Sequence, residues 1–190
     1  MIDATAFRVV TEQFEGRTRH FYQDARRLVT IGVGLLADPL SLVDRLAFTF
    51  ADGSPALPSQ VAADWAIVKS DRTLDPRGGG VQYAHLTSVR ATDASIDALV
   101  TSHLTNDERA LLGYYPFLTE LPDAAQQAVH HLAFACGPHF PPGWPHFSAA
   151  LLARDYEAAA AESALPLTSS TTDARNTWVA GLLRSCAATA

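Results

Sequence analysis

The spacing of the apolar residues changes abruptly near the start of the chain, and this change constrains the fold most. Between Ala6 and Phe14 they recur every three or four positions, which is the pattern of an amphipathic helix. From Val29 they alternate, with Ile31 and Val33 following at every second position, as in a strand with one buried face. A helix followed directly by strand structure predicts a fold of the α+β class.

The residues after the first helix predict a β-hairpin. Glu15 is expected at the helix end, because the glycine that follows it can adopt the left-handed conformation that stops a helix. Two strand-forming runs, His20 to Tyr22 and Leu28 to Ile31, flank a polar stretch with Asp24 at the turn. Thr30 alternates with the buried positions of the second strand, so its hydroxyl is expected to face a cleft.

The remainder of the chain is predicted to be mainly helical. The segment from Asp38 to Ala91 is the exception, because it is rich in proline and glycine. It is expected to hold one helix and then a flexible loop, or a covering flap, at Pro76 to Gly80. The predicted helices are one capped by Ser59, one capped by Thr92, and those at Pro122 to Cys136, Phe147 to Leu152, Tyr156 to Glu162 and Asp173 to Ala187.

Size and charge limit the classes of function. A chain of 190 residues, 48% of them hydrophobic, is long enough for one domain with a sizeable core. The formal net charge of -6 gives no general attraction to nucleic acid or to an anionic membrane, so neither is expected as a partner. No apolar run approaches the roughly 20 residues of a membrane helix, and we expect no classical signal peptide.

Several conspicuous residues have a structural interpretation. Cys136 and Cys186 lack the spacing of a metal or catalytic site and are expected as buried thiols, with a disulfide as the alternative. His130 and His131 are neighbours on a helix and point in different directions, which favours packing or exposure over metal binding. The three tryptophans are expected mainly as core anchors rather than as sugar platforms: Trp65, Trp144 and Trp178.

Two acids and a hydroxyl precede a Gly-x-Gly sequence in the predicted hairpin region. Eight residues separate Glu15 from Asp24, and five separate Asp24 from Thr30. A pair of carboxylates is the minimum equipment for cleaving a glycosidic bond, because one must donate a proton while the other handles water. The Gly32-x-Gly34 sequence lacks the third glycine and the helix of a dinucleotide-binding loop.

The segment from Glu15 to Leu36 resembles the active-site segment of the phage-type lysozymes, the endolysins of glycoside hydrolase family 24. Its spacing of Glu, Asp and Thr follows the catalytic pattern of that family. The resemblance also rests on Gly16, Tyr22, Ile31, Gly32, Val33, Gly34 and Leu35. It continues more faintly through Leu132 to Gly137 and Phe147 to Ala161, whereas Asp38 to Ala91 has no counterpart.

The resemblance implies a lysozyme-like, two-lobed fold, α+β and mainly α. Residues 1–190 would form a single lysozyme-like domain with a small β-hairpin lobe at about 15–91, including an insertion at about 38–91. The helical large lobe would comprise about 92–190 together with the N-terminal helix. Glu15, Asp24 and Thr30 would be catalytic, and Leu36, Phe134 and Arg175 would contribute to substrate binding. Arg175 corresponds to an arginine that pairs with the catalytic glutamate in the family.

The implied activity is that of a muramidase. It would cleave the β-1,4 bond between N-acetylmuramic acid and N-acetylglucosamine of peptidoglycan by inversion, and so lyse bacterial cell walls without any cofactor or metal. Asp24 and Thr30 favour a hydrolase, because a lytic transglycosylase uses no water and can act with one glutamate. The alternative is a catalytically weak lysozyme-like module that binds peptidoglycan or a protein partner. Leu35, where the family often has histidine, and the acidic charge are departures that keep this alternative open.

The biological setting has two readings. The protein could be a phage endolysin or an antibacterial toxin effector that is delivered into a target cell. In either case we expect synthesis in the cytoplasm and action in the periplasm or cell wall of a bacterium. Peptidoglycan glycan strands are the expected partner, and an immunity protein or a component of a secretion apparatus would accompany the effector reading.

Overall fold

The computed structural model describes residues 2–166 and 170–188 and shows an α+β, mainly α protein, which confirms the predicted fold class. Helices account for 61% of the structure. The helices are α1 (Ala4–Glu15), α2 (Pro58–Ser70), α3 (Asp93–Tyr114), α4 (Asp123–Cys136), α5 (Pro145–Leu152), α6 (Tyr156–Ala161) and α7 (Ser170–Ala187). The strands are β1 (Thr18–Gln23), β2 (Val29–Gly32), β3 (Leu35–Leu36), β4 (Phe48–Thr49) and β5 (Arg90–Ala91).

The chain divides into two compact units. One comprises Met1–Phe14 and Thr101–Ala190, and the other comprises Glu15–Val100. The division falls within α1 and within α3, so each of these helices contributes residues to both units. We call the first the helical unit and the second the hairpin unit.

The hairpin unit contains the predicted β-hairpin. β1 and β2 are antiparallel, with Tyr22 opposite Thr30, and β3 adds to β2 with Leu36 opposite Thr30. Val29 and Ile31 are fully buried, as the alternation predicts. The core around them consists of Phe21, Ala37, Val43, Phe48, Val61, Val68, Tyr83, Val89, Ala91 and Ile96.

The helix predicted within the hairpin unit is α2, but its start differs from the prediction. The helix begins at Pro58, where the fixed φ of proline suits the first helical position. The N–H of Leu57 donates to the side-chain oxygen of Gln60 at 2.7 Å, so Ser59 is not the capping residue. Trp65 lies on this helix and donates from Nε1 to the carbonyl of Ala37 at 2.7 Å, which anchors α2 to the sheet.

The glycine-rich segment was predicted as a flexible loop, with a flap as the alternative, and the structure corrects the expectation of an irregular loop. Two 3-10 turns, Pro76–Gly78 and Gly80–Leu86, replace the expected irregular loop. The second turn packs against β1. Gly80 makes this close approach possible, because its missing side chain would otherwise meet the side chains of Thr18 and Tyr22.

The helical unit follows the predicted order of helices. Where α3 begins, still within the hairpin unit, the Ser95 N–H donates to Thr92 Oγ1 at 3.2 Å, which is the predicted cap. At the end of α4, Gly137 has φ +85°, a conformation that favours glycine. The core of this unit includes Leu111, Leu118, Val129, Leu132, Phe147, Leu151, Tyr156, Val179 and Leu183.

The two cysteines are both thiols, but they differ in exposure. Cys186 is buried as predicted, whereas Cys136 is exposed at the end of α4, so the expectation of two buried thiols was wrong. Within residues 2–166 and 170–188, every helix is too short or too polar to cross a bilayer.

Candidate active site

Glu15 ends the first helix, and its carboxylate lies against the backbone of the Gly-x-Gly sequence. Gly16 has φ +70° and turns the chain out of α1 directly after Glu15. A Cβ built on Gly34 would lie 3.2 Å from Oε2 of Glu15 and 3.5 Å from its carboxyl carbon. Gly34 also has φ +84°, which other residues rarely adopt. Both properties of position 34 therefore require glycine beside the Glu15 carboxylate.

Asp24 forms the turn between β1 and β2, as predicted. Its Oδ1 accepts hydrogen bonds from the N–H groups of Arg26 and Leu28, each at 2.9 Å. The backbone N–H of Asp24 donates to the carbonyl of Leu28 at 2.9 Å. The Asp24 carbonyl accepts from the Arg27 N–H at 2.8 Å, so four hydrogen bonds fix the residue. Oδ2 carries the remaining acceptor capacity, with Arg26 Nε 3.6 Å away.

Thr30 occupies the middle of the small sheet. It is opposite Tyr22 on one side and opposite Leu36 on the other. Thr30 is only 4% exposed, so it is buried between its neighbours rather than on an open polar face. Its hydroxyl donates to the carbonyl of Leu28 at 3.2 Å. The lone pairs of Oγ1 can still accept a hydrogen bond.

Tyr22 connects the two acids electrostatically. Burial raises the pKa of the Tyr22 phenol far above its usual value, and the negative charges of Glu15 and Asp24 raise it further. Both carboxylates therefore lie within electrostatic range of the same hydroxyl group. Tyr22 is also opposite Thr30 in the hairpin, so each of the three predicted catalytic residues is related to this tyrosine by register or by charge.

The predicted substrate-binding residues are distributed over the two units. Leu36 belongs to the hairpin unit, where its side chain is 43% exposed in β3 beside Thr30. Phe134 and Arg175 belong to the helical unit. The Phe134 ring packs at 5.8 Å from the Phe7 ring, and the Arg175 guanidinium lies 5.2 Å from the centre of the Phe14 ring. The pairing of Arg175 with Glu15 that the resemblance implies stays a prediction.

The histidine pair supports packing rather than metal binding. His130 and His131 are 1% and 2% exposed. The His131 ring packs against the rings of Phe7 at 4.3 Å and Trp178 at 4.6 Å. Across residues 2–166 and 170–188, histidine, cysteine and acidic side chains form no group of three that could hold a metal ion.

Two features of the site were missed by sequence reasoning. Tyr22 was recognised as part of the motif but was given no role, although its position two residues before Asp24 and in the strand opposite Thr30 was a usable signal. The docking of Gly80 on β1 joins positions 60 residues apart, and no local pattern indicates it.

Comparison with known proteins adds no assignment. No protein-family model matches the chain, and no curated protein matches it.

Proposed function

We propose that this protein is a peptidoglycan hydrolase, a muramidase that cleaves the β-1,4 bond between N-acetylmuramic acid and N-acetylglucosamine. One observation carries the proposal: Thr30 lies opposite Tyr22 in the hairpin, and the charges of Glu15 and Asp24 both raise the pKa of the Tyr22 phenol. Two carboxylates and a hydroxyl supply the proton donor, the base and the water ligand of a glycosidase. The resemblance of Glu15 to Leu36 to the phage-type lysozymes gives the substrate class.

Glu15 acts as the general acid in this proposal. Its position at the end of a helix, followed by a glycine turn, presents the carboxyl group beyond the last turn. The group donates its proton to the glycosidic oxygen as the bond from that oxygen to the anomeric carbon breaks. Gly34 leaves the space that the carboxyl group occupies.

Asp24 and Thr30 prepare the attacking water. The water donates one hydrogen to Asp24 Oδ2 and can donate the other to Thr30 Oγ1, because the Thr30 hydroxyl hydrogen is already given to Leu28. As the water oxygen bonds to the anomeric carbon, the water proton passes to Asp24. Attack from the face opposite the leaving group inverts the anomeric centre, and every step is a proton transfer or a displacement that needs no cofactor.

A hydrolase agrees better with this geometry than a transglycosylase does. In a lytic transglycosylase the muramic acid hydroxyl attacks the anomeric carbon, so a residue that orients water has no task. Here the turn holds Asp24 by four hydrogen bonds while Oδ2 remains an acceptor. Such a fixed carboxylate suits the orientation of a water molecule.

The proposal also concerns partners and place of action. The substrate is the glycan strand of peptidoglycan, so the protein would act at the periplasmic side or in the wall of a bacterium. Peptidoglycan is itself anionic, and a net charge of -6 gives no general attraction to it. Binding would therefore depend on local contacts, and an immunity protein would be needed if the protein is a delivered toxin.

Digestion of purified peptidoglycan tests the function. Wild-type protein is expected to release muropeptides with reducing ends, which mass spectrometry identifies, and Glu15→Gln is expected to release none. Products that carry 1,6-anhydro ends would replace the hydrolase with a transglycosylase. Binding to peptidoglycan without any release by the wild-type protein would support the non-catalytic binding module instead.

A further inference from the structure

The turn Gly80–Leu86 approaches β1 closely at Gly80. A Cβ built on Gly80 would lie 3.0 Å from Thr18 Oγ1, 3.1 Å from Thr18 Cγ2 and 3.3 Å from Tyr22 Cδ1. These distances are shorter than ordinary contacts of a Cβ atom. The φ angle of Gly80 is not positive, so this position needs glycine for space and not for backbone conformation.

A hydrogen bond fixes the same contact. His20 Nε2 lies 2.9 Å from the carbonyl oxygen of Gly80, and the ring nitrogen is the donor because a carbonyl only accepts. His20 lies between Thr18 and Tyr22 in β1, so three residues of one strand hold Gly80 in place. The insertion is thereby tied to the strand that carries Tyr22.

Tyr22 in turn faces the catalytic groups of the proposed function. It is opposite Thr30 in the hairpin and two residues from Asp24. The ring edge contacts Gly80, whereas the hydroxyl experiences the charges of Glu15 and Asp24. One side chain therefore packs its ring against the insertion and lies opposite Thr30 of the candidate active site.

We propose that Tyr22 is a positioning residue for the Glu15 and Asp24 carboxyl groups and that the insertion, through Gly80, holds the Tyr22 ring where it can do this. The proposal rests on the proposed function. The neutral phenol contributes an O–H dipole that can donate to a carboxylate or accept from a carboxylic acid, and thus restrict both acids. The segment without a counterpart in the resembled family would then be a part of the active-site support.

The spatial part can be tested without any substrate. Tyr22 is replaced by 3,5-difluorotyrosine, whose phenol ionises near neutral pH and reports through its absorbance and 19F NMR signal. Its pKa is expected to exceed that of the free amino acid and to fall in both the Glu15→Gln and the Asp24→Asn background, because each change removes a negative charge. Unchanged titration in both backgrounds would overturn the proposed proximity.

The role of Gly80 is tested in the same labelled protein. Gly80→Ala forces the Thr18 and Tyr22 side chains apart by a few tenths of an ångström, so it should move the 19F signal and alter the phenol titration. Gly113→Ala is the matched control, because a Cβ at Gly113 meets no atom within 4 Å. If the 19F signal is the same in Gly80→Ala, Gly113→Ala and the parent protein, the proposal that the insertion holds the Tyr22 ring through Gly80 is wrong.

Kinetics on soluble glycan chains then test the consequence. Tyr22→Phe keeps the ring against Gly80 but removes the hydroxyl, and it should lower kcat by about tenfold to a hundredfold with little change in KM. It should also change the shape of the activity–pH profile, which a loss of stability alone would not do. An unchanged kcat and profile would refute the positioning role. The phenol titration could respond to Glu15→Gln and Asp24→Asn while the wild-type protein cleaves no glycan. That result would refute the proposed function, but the proximity of Tyr22 to the two acids would still hold.

Discussion

The carboxylate of Glu15 occupies the space that a side chain at position 34 would need, since a Cβ on Gly34 would lie 3.2 Å from Oε2. This relationship explains why glycine stands at the second position of the Gly-x-Gly sequence. It also places the end of α1 beside the turn between β2 and β3.

Gly34→Ala should therefore damage activity more than stability. The left-handed backbone with φ +84° costs alanine about 1–2 kcal/mol of folding free energy. Gly53→Ala is a matched control, because Gly53 has φ +83° but no atom within 4 Å of its built Cβ. Both variants should lose similar stability in urea denaturation, while only Gly34→Ala loses peptidoglycan cleavage. Equal activity of the two variants would contradict the contact with Glu15.

Asp24→Asn should separate the charge of Asp24 from its role in the turn. The asparagine Oδ1 can still accept from the N–H groups of Arg26 and Leu28, so the free energy of unfolding should change by less than about 1 kcal/mol. The base is lost, so kcat should fall by about 10²- to 10⁴-fold. Asp24→Ala should lose the same activity and also destabilise the hairpin. If Asp24→Asn retains full activity, Asp24 is only a turn residue.

The fold was predictable wherever the signal is local. The end of α1 at Glu15 follows from Gly16, the cap of α3 from Thr92, and the end of α4 from Gly137. Each of these depends on residues within one turn of the boundary. The hairpin was predictable for the same reason, since alternation sets its buried face and a polar stretch with Asp24 marks its turn.

The remainder of the site depends on contacts that no local pattern records. A run of three glycines indicates a loop by propensity, but the packing of Gly80 on Thr18 and Tyr22 orders it. Thr30 was predicted correctly on the face opposite Val29 and Ile31, yet Thr30 itself is buried on that face. Spacing alone therefore identified the candidate residues, whereas their surroundings required the structure.

Thr30→Val should remove activity at little cost in stability. Valine has nearly the shape of threonine, and the Leu28 carbonyl that loses the hydroxyl donor still accepts from the Asp24 N–H at 2.9 Å. The free energy of unfolding should change by about 1 kcal/mol or less. Cleavage should slow by at least about tenfold because the water loses one acceptor, and Thr30→Ser should restore it. Equal rates for the valine and serine variants would remove Thr30 from the mechanism.

Acid should destabilise the helical unit through its buried histidines. Burial lowers the pKa of His130 to about 4 and that of His131 to about 3, where the Arg175 charge adds to the effect. In the unfolded chain each histidine takes up a proton near pH 6.5. The contribution of these histidines to the free energy of unfolding is therefore fully present above about pH 6.5. It is lost as the pH falls toward their pKa values in the folded protein, by about 1.4 kcal/mol per pH unit for each histidine.

His131→Phe should reduce this acid sensitivity. Phenylalanine can keep the ring contacts with Phe7 and Trp178 and has no proton to gain, so one of the two contributions to the slope disappears. Urea denaturation between pH 4 and pH 7 measures the slope, with His146→Gln as a control at an exposed position. The control should keep the wild-type slope. A His131→Phe variant that also keeps it would show that His131 is not buried as a neutral ring, and the packing around Trp178 would then need another explanation.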